Sequence, residues 1–333
     1  MTGPTPGIAR VSLGRTGVTV SRLILGCAPL AGLFAPVEAG AAAATLAAAW
    51  DSGVRAFDTA PHYGAGLSEE RLGSFLADKV RPACVVSTKV GRLLVPTDDD
   101  VEGVEGFFGA ARRSRVYDYS RDGVRRSLEQ SCARMGLDRV DVALIHDPDE
   151  HWDIAINEAY PALEELRSEG VVAAIGVGMN QTTMIERFVA ETDIDCVLTA
   201  GHYSLLDSSA GDSLFPACVA AGVAVLAAGV YQSGILANPR PGAMFNYRVA
   251  PPEITARVSQ IARVCAAHAV PLPAAALHYV VANPAVTAVV IGARSAGEAD
   301  DNARHLNTIV PPELFDELAA LGLVAPLTGA APD

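Results

Sequence analysis

The sequence predicts an α/β chain of the (β/α)8 barrel type, a single domain over residues 1–333 with a β-hairpin ahead of the first barrel strand. Three observations lead there. From Arg22 onward, short apolar runs alternate with stretches of helical character, and eight such runs can be marked. Each run is apolar on both faces, as parallel strands covered by helices are. The length fits the ~250 residues usual for that fold plus insertions. The competing architecture, a doubly wound open sheet, would carry a GxGxxG turn after its first strand, and Leu25-Gly26-Cys27-Ala28-Pro29 offers none.

In chain order, Arg10–Ser21 reads as a hairpin around Gly14-Arg15-Thr16-Gly17. The eight strands expected are Leu23–Gly26, Arg55–Thr59, Cys84–Lys89, Val140–His146, Ala173–Gly178, Asp195–Ala200, Ala224–Ala228 and Ala288–Gly292. Helices are expected at Glu38–Ser52, Ser68–Asp78, Arg121–Met135, Ile154–Glu169, Thr182–Glu191, Asp212–Ala221, Pro252–His268 and Pro273–Ala282. Two longer connections, residues 93–119 and 232–252, follow the third and seventh strands and so belong to the carboxyl face, where such loops serve as walls or lids.

Composition narrows the partners. A formal net charge of −13 spread along the chain excludes a nucleic-acid or anionic-membrane partner, since either requires a basic patch. A small-molecule substrate, acted on by a monomer or small homo-oligomer, is the expectation. The cysteines, Cys27, Cys84, Cys132, Cys196, Cys218 and Cys265, form no CxxC pair and read as reduced thiols. With no basic start followed by an apolar core, and an Ala39–Trp50 run too short to span a bilayer, a cytoplasmic location is expected.

The chemistry collects at strand ends. Asp58, Lys89 and His146 close the second, third and fourth strands, and Tyr63 lies in the loop after Asp58. In a barrel these ends face one mouth. A lysine ammonium beside a tyrosine favours the phenolate and is expected to lower a pKa of about 10. Asp58 supplies the lysine's counter-charge, and His146 can hold a substrate oxygen. Taken singly, each has a plainer role: a lysine reaching for water, a histidine capping backbone, an Asp-Thr pair ordering a turn. Metal binding by Asp58 and His146 would need HxH or further ligands that the strand ends lack, so no metal is expected.

These residues resemble the aldo-keto reductase family. Phe57-Asp58-Thr59-Ala60 with Tyr63-Gly64 and Ser68-Glu69, then Ser87-Thr88-Lys89, then Leu144-Ile145-His146, match its catalytic tetrad in order and spacing. The likeness covers nearly the whole chain and is greatest to the sugar-oxidising branch, with pyridoxal 4-dehydrogenase relatives. It is carried there by STKVGRLLVP (87–96), YDYSRDGV (117–124), HDPD (146–149), IGVGMNQ (175–181) and YQSGILA (231–237). The resemblance implies an NAD(P)-dependent aldose 1-dehydrogenase acting on L-fucose-like sugars, with Tyr63 as proton acceptor, Lys89 and Asp58 tuning it, and His146 orienting the anomeric hydroxyl. In reverse the same groups reduce an aldehyde. Alternatives are an aldehyde or ketone reductase, a pyridoxal dehydrogenase, or a silent nucleotide-sensing subunit.

The resemblance also implies the cofactor residues. Gly26 and Asp58 are among them, Asn180 matches the carboxamide-binding asparagine, and Gly229, Val230, Tyr231 and Ser233 follow the seventh strand, with Tyr231 in place of the usual stacking aromatic. Ile291, Gly292, Arg294, Glu298 and Asn302 hold the adenosine end. Alignment on Asn302 puts Glu298 where NADP-preferring members carry arginine, and a carboxylate repels a 2′-phosphate while accepting from a free ribose hydroxyl. NAD is therefore expected, with Arg294 as the residue that would serve NADP. For the substrate, Trp152 is the candidate platform, Tyr119 and Phe245 candidate walls, and His202 stands where an arginine is expected in sugar dehydrogenases.

Overall fold

A computed structural model describes residues 7–327. Eight parallel strands close into a barrel. In chain order they are β1 (Leu23–Gly26), β2 (Ala56–Asp58), β3 (Val85–Val90), β4 (Val142–His146), β5 (Ala174–Met179), β6 (Cys196–Ala200), β7 (Ala224–Ala228) and β8 (Val286–Gly292). All eight fall on the expected runs, trimmed or extended by a residue or two. Helices α1 (Ala39–Asp51), α2 (Leu67–Leu76), α3 (Arg121–Met135), α4 (Tyr160–Ser168), α5 (Thr182–Glu191), α6 (Leu214–Ala221), α7 (Pro252–Ala267) and α8 (Leu272–Val281) surround it. Two more, α9 (Ala296–Leu306) and α10 (Pro312–Ala320), were not among the expected helices. Before α4, the expected single helix is divided into Trp152–Ile154 and a π turn at Ala155–Ala159.

Local chemistry sets the boundaries. The Ser120 hydroxyl accepts from Gly123 N at 3.1 Å and starts α3, and Gly136, left-handed at φ 63°, ends it. Two strands begin on the same device. Asp141 accepts from Val86 N of the neighbouring strand and pairs with Arg81, both at 2.7 Å, and Asp195 accepts from Ile175 N and pairs with Arg167, both at 2.9 Å. A carboxylate thus satisfies an edge donor that would otherwise be buried unpaired.

Side-chain alternation divides the barrel. Ile24, Ala56, Val85, Val142, Leu144, Ala174, Cys196, Leu198, Ala224, Leu226, Ala288 and Val290 fill the axis, while the alternate residues pack on the helices. The amino-terminal hairpin, Arg10–Ser12 paired with Thr19–Ser21, is present as expected, and Leu13, Val18 and Val20 join the axial cluster from below. Residues 93–119, expected as a loop, instead form a second hairpin, with Arg92–Pro96 antiparallel to Arg113–Tyr117. Within 232–252 a third, minimal one pairs Met244–Phe245 with Arg248–Val249. Among the described residues no single helix is long and apolar enough to cross a membrane.

Candidate active site

Extending the interior rows by one layer toward the carboxyl end gives Gly26, Asp58, Lys89, His146, Gly178, Ala200, Ala228 and Gly292, each two residues past an axial or strand-interior position. The mouth therefore has two halves. On β2, β3 and β4 it presents a carboxylate, an ammonium and an imidazole. At this layer the other five strands carry only glycine or alanine and leave a hollow floor beside them.

Register joins the charged half. Asp58 lies opposite Ser87, two residues before Lys89 on the same face of β3. Accordingly Ser87 Oγ donates to Asp58 Oδ1 at 3.1 Å, and Lys89 Nζ donates to Asp58 Oδ2 at 2.7 Å and to the Thr59 carbonyl at 3.0 Å. Lys89 is 1 % exposed, so its charge is matched almost wholly by protein. Burial alone would lower its pKa, but Asp58 and Tyr63 outweigh this and raise it, so the ammonium persists.

Tyr63 is placed by a tight turn. Gly64, Ala65 and Gly66 are all left-handed (φ 59°, 53° and 93°), which folds the chain sharply into α2 and sets the tyrosine ring 4.7 Å from Lys89 Nζ. A Cβ on Gly64 would stand 2.7 Å from the Ala31 methyl, so the turn requires glycine there. The expectation that Lys89 makes Tyr63 acidic is corrected by the magnitude of burial. Burial pushes the phenol up and Lys89 pulls it down, but burial prevails and Tyr63 is pushed up to about 12. The group rests as a phenol.

His146 faces Tyr63 edge-on, with ring centroids 5.8 Å apart. Its pKa is far below the usual histidine value, through burial first and then the positive charges of Arg92, Lys89 and His62, so the ring is neutral. The second hairpin closes over this half: Phe107 packs on Tyr63 at 6.1 Å between ring centroids, and Glu105 Oε2 lies 3.1 Å from Arg115 Nε. His62 Nδ1 is 3.2 Å from Glu105 Oε2, though off the line of a formed hydrogen bond. Helix α2 braces the floor from outside, where fully buried Glu69 accepts from Arg134 Nε at 2.6 Å and Thr88 Oγ1 at 2.9 Å.

Over the hollow half lies a cavity of about 260 Å³. Asn180, His202, Gly229 and Ser233 line it, as do Gln232 and Tyr247, which are absent from the sequence-derived set. Gln232 is 2 % exposed and left-handed at φ 48°. Its amide nitrogen donates to the Gly201 carbonyl at 2.6 Å and to Ser204 Oγ at 2.9 Å, while its carbonyl oxygen has no partner among the described residues. A glycine-alanine floor next to an unsatisfied buried acceptor suits a flat group carrying its own amide donors, as nicotinamide does.

Not every expected ligand-facing side chain is turned to the mouth. Ile291 and Val230 lie in the outer core, which leaves only their backbone for a ligand. Tyr231 packs against that core, and its hydroxyl is buried without a partner. Tyr119 is 2 % exposed and donates to the carbonyls of His146 and Asp147 at 2.6 and 2.9 Å, so it clamps the strand end and is not a pocket wall. Trp152 is covered by Arg187, 3.7 Å from its ring centre, and by the edge of Phe188, so its face is already taken. Phe245 is half-buried against the core, whereas neighbouring Tyr247 reaches over the mouth to Phe34, with ring centroids 5.9 Å apart. His202 is paired with Asp207 at 3.4 Å, which raises its pKa.

In the segment expected to hold the adenosine, Asn302 Nδ2 donates to the Gly292 carbonyl at 3.4 Å. Glu298 closes a cap: its backbone N–H donates to Ser295 Oγ at 3.2 Å, and its own Oε2 accepts from Arg294 N at 2.8 Å. The first turn of α9 is thus ready to receive an anion, apart from the carboxylate already there.

A parallel barrel with a buried lysine beside a tyrosine, a neutral histidine across from it and a hollow floor of glycine and alanine defines the class: a nicotinamide-dependent barrel oxidoreductase. The sequence model of the Aldo/keto reductase family matches residues 22–322, and the chain belongs to that family. It is 40% identical to D-threo-aldose 1-dehydrogenase of Pseudomonas sp, over 92% of this chain and 96% of that one. It is 39% identical to pyridoxal 4-dehydrogenase of Microbacterium luteolum (94% and 97%), and 31% identical to L-galactose dehydrogenase of Arabidopsis thaliana (87% and 86%). Among solved structures, a holo aldo-keto reductase from Bacillus halodurans superposes with a TM-score of 0.76 at 23% identity, covering 95% of this chain and 96% of that one. At that identity the likeness concerns the fold. The protein is an NAD(P)-dependent oxidoreductase.

Proposed function

We propose that the protein is an aldose 1-dehydrogenase that oxidises the anomeric carbon of L-fucose-like sugars to a lactone, using NAD. The observation that carries this reading is the convergence of Tyr63, Lys89, Asp58 and His146 beside the hollow floor. The likeness to D-threo-aldose 1-dehydrogenase supports the sugar. A bound nicotinamide would supply the hydride acceptor for C1, and the phenolate form of Tyr63 takes the hydroxyl proton.

The chain's own residues account for the remaining requirements. His146, neutral and edge-on to Tyr63, holds the reacting oxygen by a hydrogen bond. Lys89, kept charged by Asp58, favours the phenolate that must take the proton. Since Tyr63 rests as a phenol, it is already a proton donor for reduction, while oxidation draws on its minor ionised form. NAD is proposed over NADP because Glu298 places a carboxylate at the α9 amino terminus, where a 2′-phosphate would be repelled.

Initial rates with L-fucose, pyridoxal and a simple aromatic aldehyde, each with NAD(H) and NADP(H), test the proposal. L-Fucose with NAD should give the highest kcat/KM. Turnover of the aldehyde alone would refute the sugar assignment. The identity to pyridoxal 4-dehydrogenase sustains a second reading, which pyridoxal turnover exceeding that of sugars would favour.

A further inference from the structure

At the root of the second hairpin, Arg92 is 6 % exposed, and its Nη1 lies 3.1 Å from His146 Nδ1. A guanidinium has donors only. The imidazole nitrogen facing it must therefore be the acceptor, and in a neutral ring the single proton must sit on the other nitrogen. On that far side, Asp147 Oδ2 is 3.4 Å from His146 Nε2 without the alignment of a hydrogen bond, which leaves the Nε2 proton for a ligand. Arg92 thus specifies the tautomer through its contact with Nδ1.

The clamp is built rather than incidental. Arg92 Nη2 also donates to Asp147 Oδ2 at 3.2 Å, the guanidinium lies 5.2 Å from the Tyr117 ring centre, and the Arg92 carbonyl accepts from Ser127 Oγ at 3.3 Å. Asp147 is held left-handed at φ 42° by its N–H to the Gly178 carbonyl at 3.1 Å and by Tyr119 on its own carbonyl. Such backbone strain persists only where the surroundings over-determine it. Gly91 makes this corner feasible: at φ +103° it passes Tyr119 so closely that a Cβ would stand 2.1 Å from the ring.

We infer that Arg92 is a positioning residue that locks His146 in the tautomer bearing its proton on Nε2, so that the ring can only donate to the substrate oxygen. This rests on the reading of His146 as the group that orients that oxygen. The groups facing the ring are Arg92, Lys89, His62, Tyr63 and Asp147, with Tyr119 on its backbone carbonyl. Arg92 is the one that touches Nδ1. Without it, Nδ1 becomes free to take a proton, and the ring can then mix tautomers or titrate.

Nitrogen NMR of protein labelled at its histidine nitrogens decides the matter, with the His146 signals assigned by their loss in His146→Asn. In the wild-type chain, Nδ1 should resonate as an unprotonated nitrogen and Nε2 as a protonated one, unchanged between about pH 5 and 8. In Arg92→Met the Nδ1 signal should move toward the protonated position as pH falls, with a midpoint at least about one unit above that of wild type. The kcat of Arg92→Met should then fall roughly tenfold on the acid side of that midpoint, with KM for the nucleotide unchanged. Arg92→Lys, which keeps a donor, should restore the wild-type tautomer. A wild-type Nδ1 that carries the proton overturns the inference, as does an unaltered tautomer and titration in Arg92→Met. The wild-type spectrum decides this even if Arg92→Met fails to fold. Failure of every sugar and aldehyde to turn over would instead remove the functional reading and leave the tautomer result standing.

Discussion

Replacing Lys89 by methionine isolates the contribution of its charge. The ammonium lies 4.7 Å from the centre of the Tyr63 ring. At an effective dielectric of ~20, a unit charge at that separation is worth about 3.5 kcal/mol to a phenolate, or roughly 400-fold in the population of the ionised form. Tyr63 is already pushed up to about 12, so at neutral pH oxidation depends on a small ionised fraction and should rise close to tenfold per pH unit. Lys89→Met should lower that line by roughly 400-fold without changing its slope. The assay is kcat for sugar oxidation across the alkaline range, with NAD affinity followed separately by fluorescence. Because the variant strands the buried Asp58 carboxylate, it should also lose about 3–5 kcal/mol of stability in urea titrations, and Lys89→Met/Asp58→Asn should recover most of this while remaining inactive. A kcat loss below tenfold, or an equal loss of NAD binding, would refute the electrostatic reasoning.

Tyr63→Phe should lower kcat by about 10²–10⁴-fold while leaving NAD affinity within twofold, and a matching loss of affinity would make its role structural. Glu298→Arg should shift the ratio of NADP to NAD kcat/KM upward and, by losing the bond to Arg294 N, cost about 1 kcal/mol of stability. Glu298→Gln, which keeps an acceptor, separates the two effects, and unchanged selectivity in Glu298→Arg would show that the ribose is read elsewhere. Glu69→Gln removes the charge facing Arg134 in a site without solvent and should lower urea stability by about 3–5 kcal/mol, with a loss under 1 kcal/mol counting against a formed pair. The close approach of His62 at 3.2 Å, with the charge of Arg115, holds Glu105 down to about 2, so its stabilising contribution is complete above its ordinary value of 4.5 and is lost as pH falls toward 2. Thermal melts of Glu105→Gln should therefore depend less on pH in that window than wild type, and identical profiles would exclude the contribution.

The barrel and the charged half of the mouth were legible because both follow from alternation. Once Ala56, Val85 and Leu144 face inward, Asp58, Lys89 and His146 must share the top layer, whatever the loops do. Helix α3 was found end to end because Ser120 and Gly136 mark its limits. Elsewhere the determinants were not local. Arg92–Pro96 and Arg113–Tyr117 are separated by a long connection without a short-turn signal, so their pairing is set by packing over Tyr63 and not by a turn motif. An aromatic after a strand end carries no sign of its direction, which is why Tyr119 and Trp152 were placed at the pocket and proved to face backbone and Arg187. The acidity of Tyr63 depends on the balance of burial against Lys89, and the sequence contains the partner but not the depth. Arg92 had a readable signal: an arginine directly after a glycine at a strand end, one layer from a histidine.

The hairpin beneath the barrel has a consequence for proton traffic. Leu13, Val18 and Val20 meet an axial column of aliphatic side chains and one thiol, and the Ser87 hydroxyl just below Lys89 is spent on Asp58. An aliphatic column of this kind is a poor proton path, so on the proposed mechanism a proton taken up at Tyr63 would leave by the mouth that admits the substrate. Product and proton share one door, and whatever blocks it holds both.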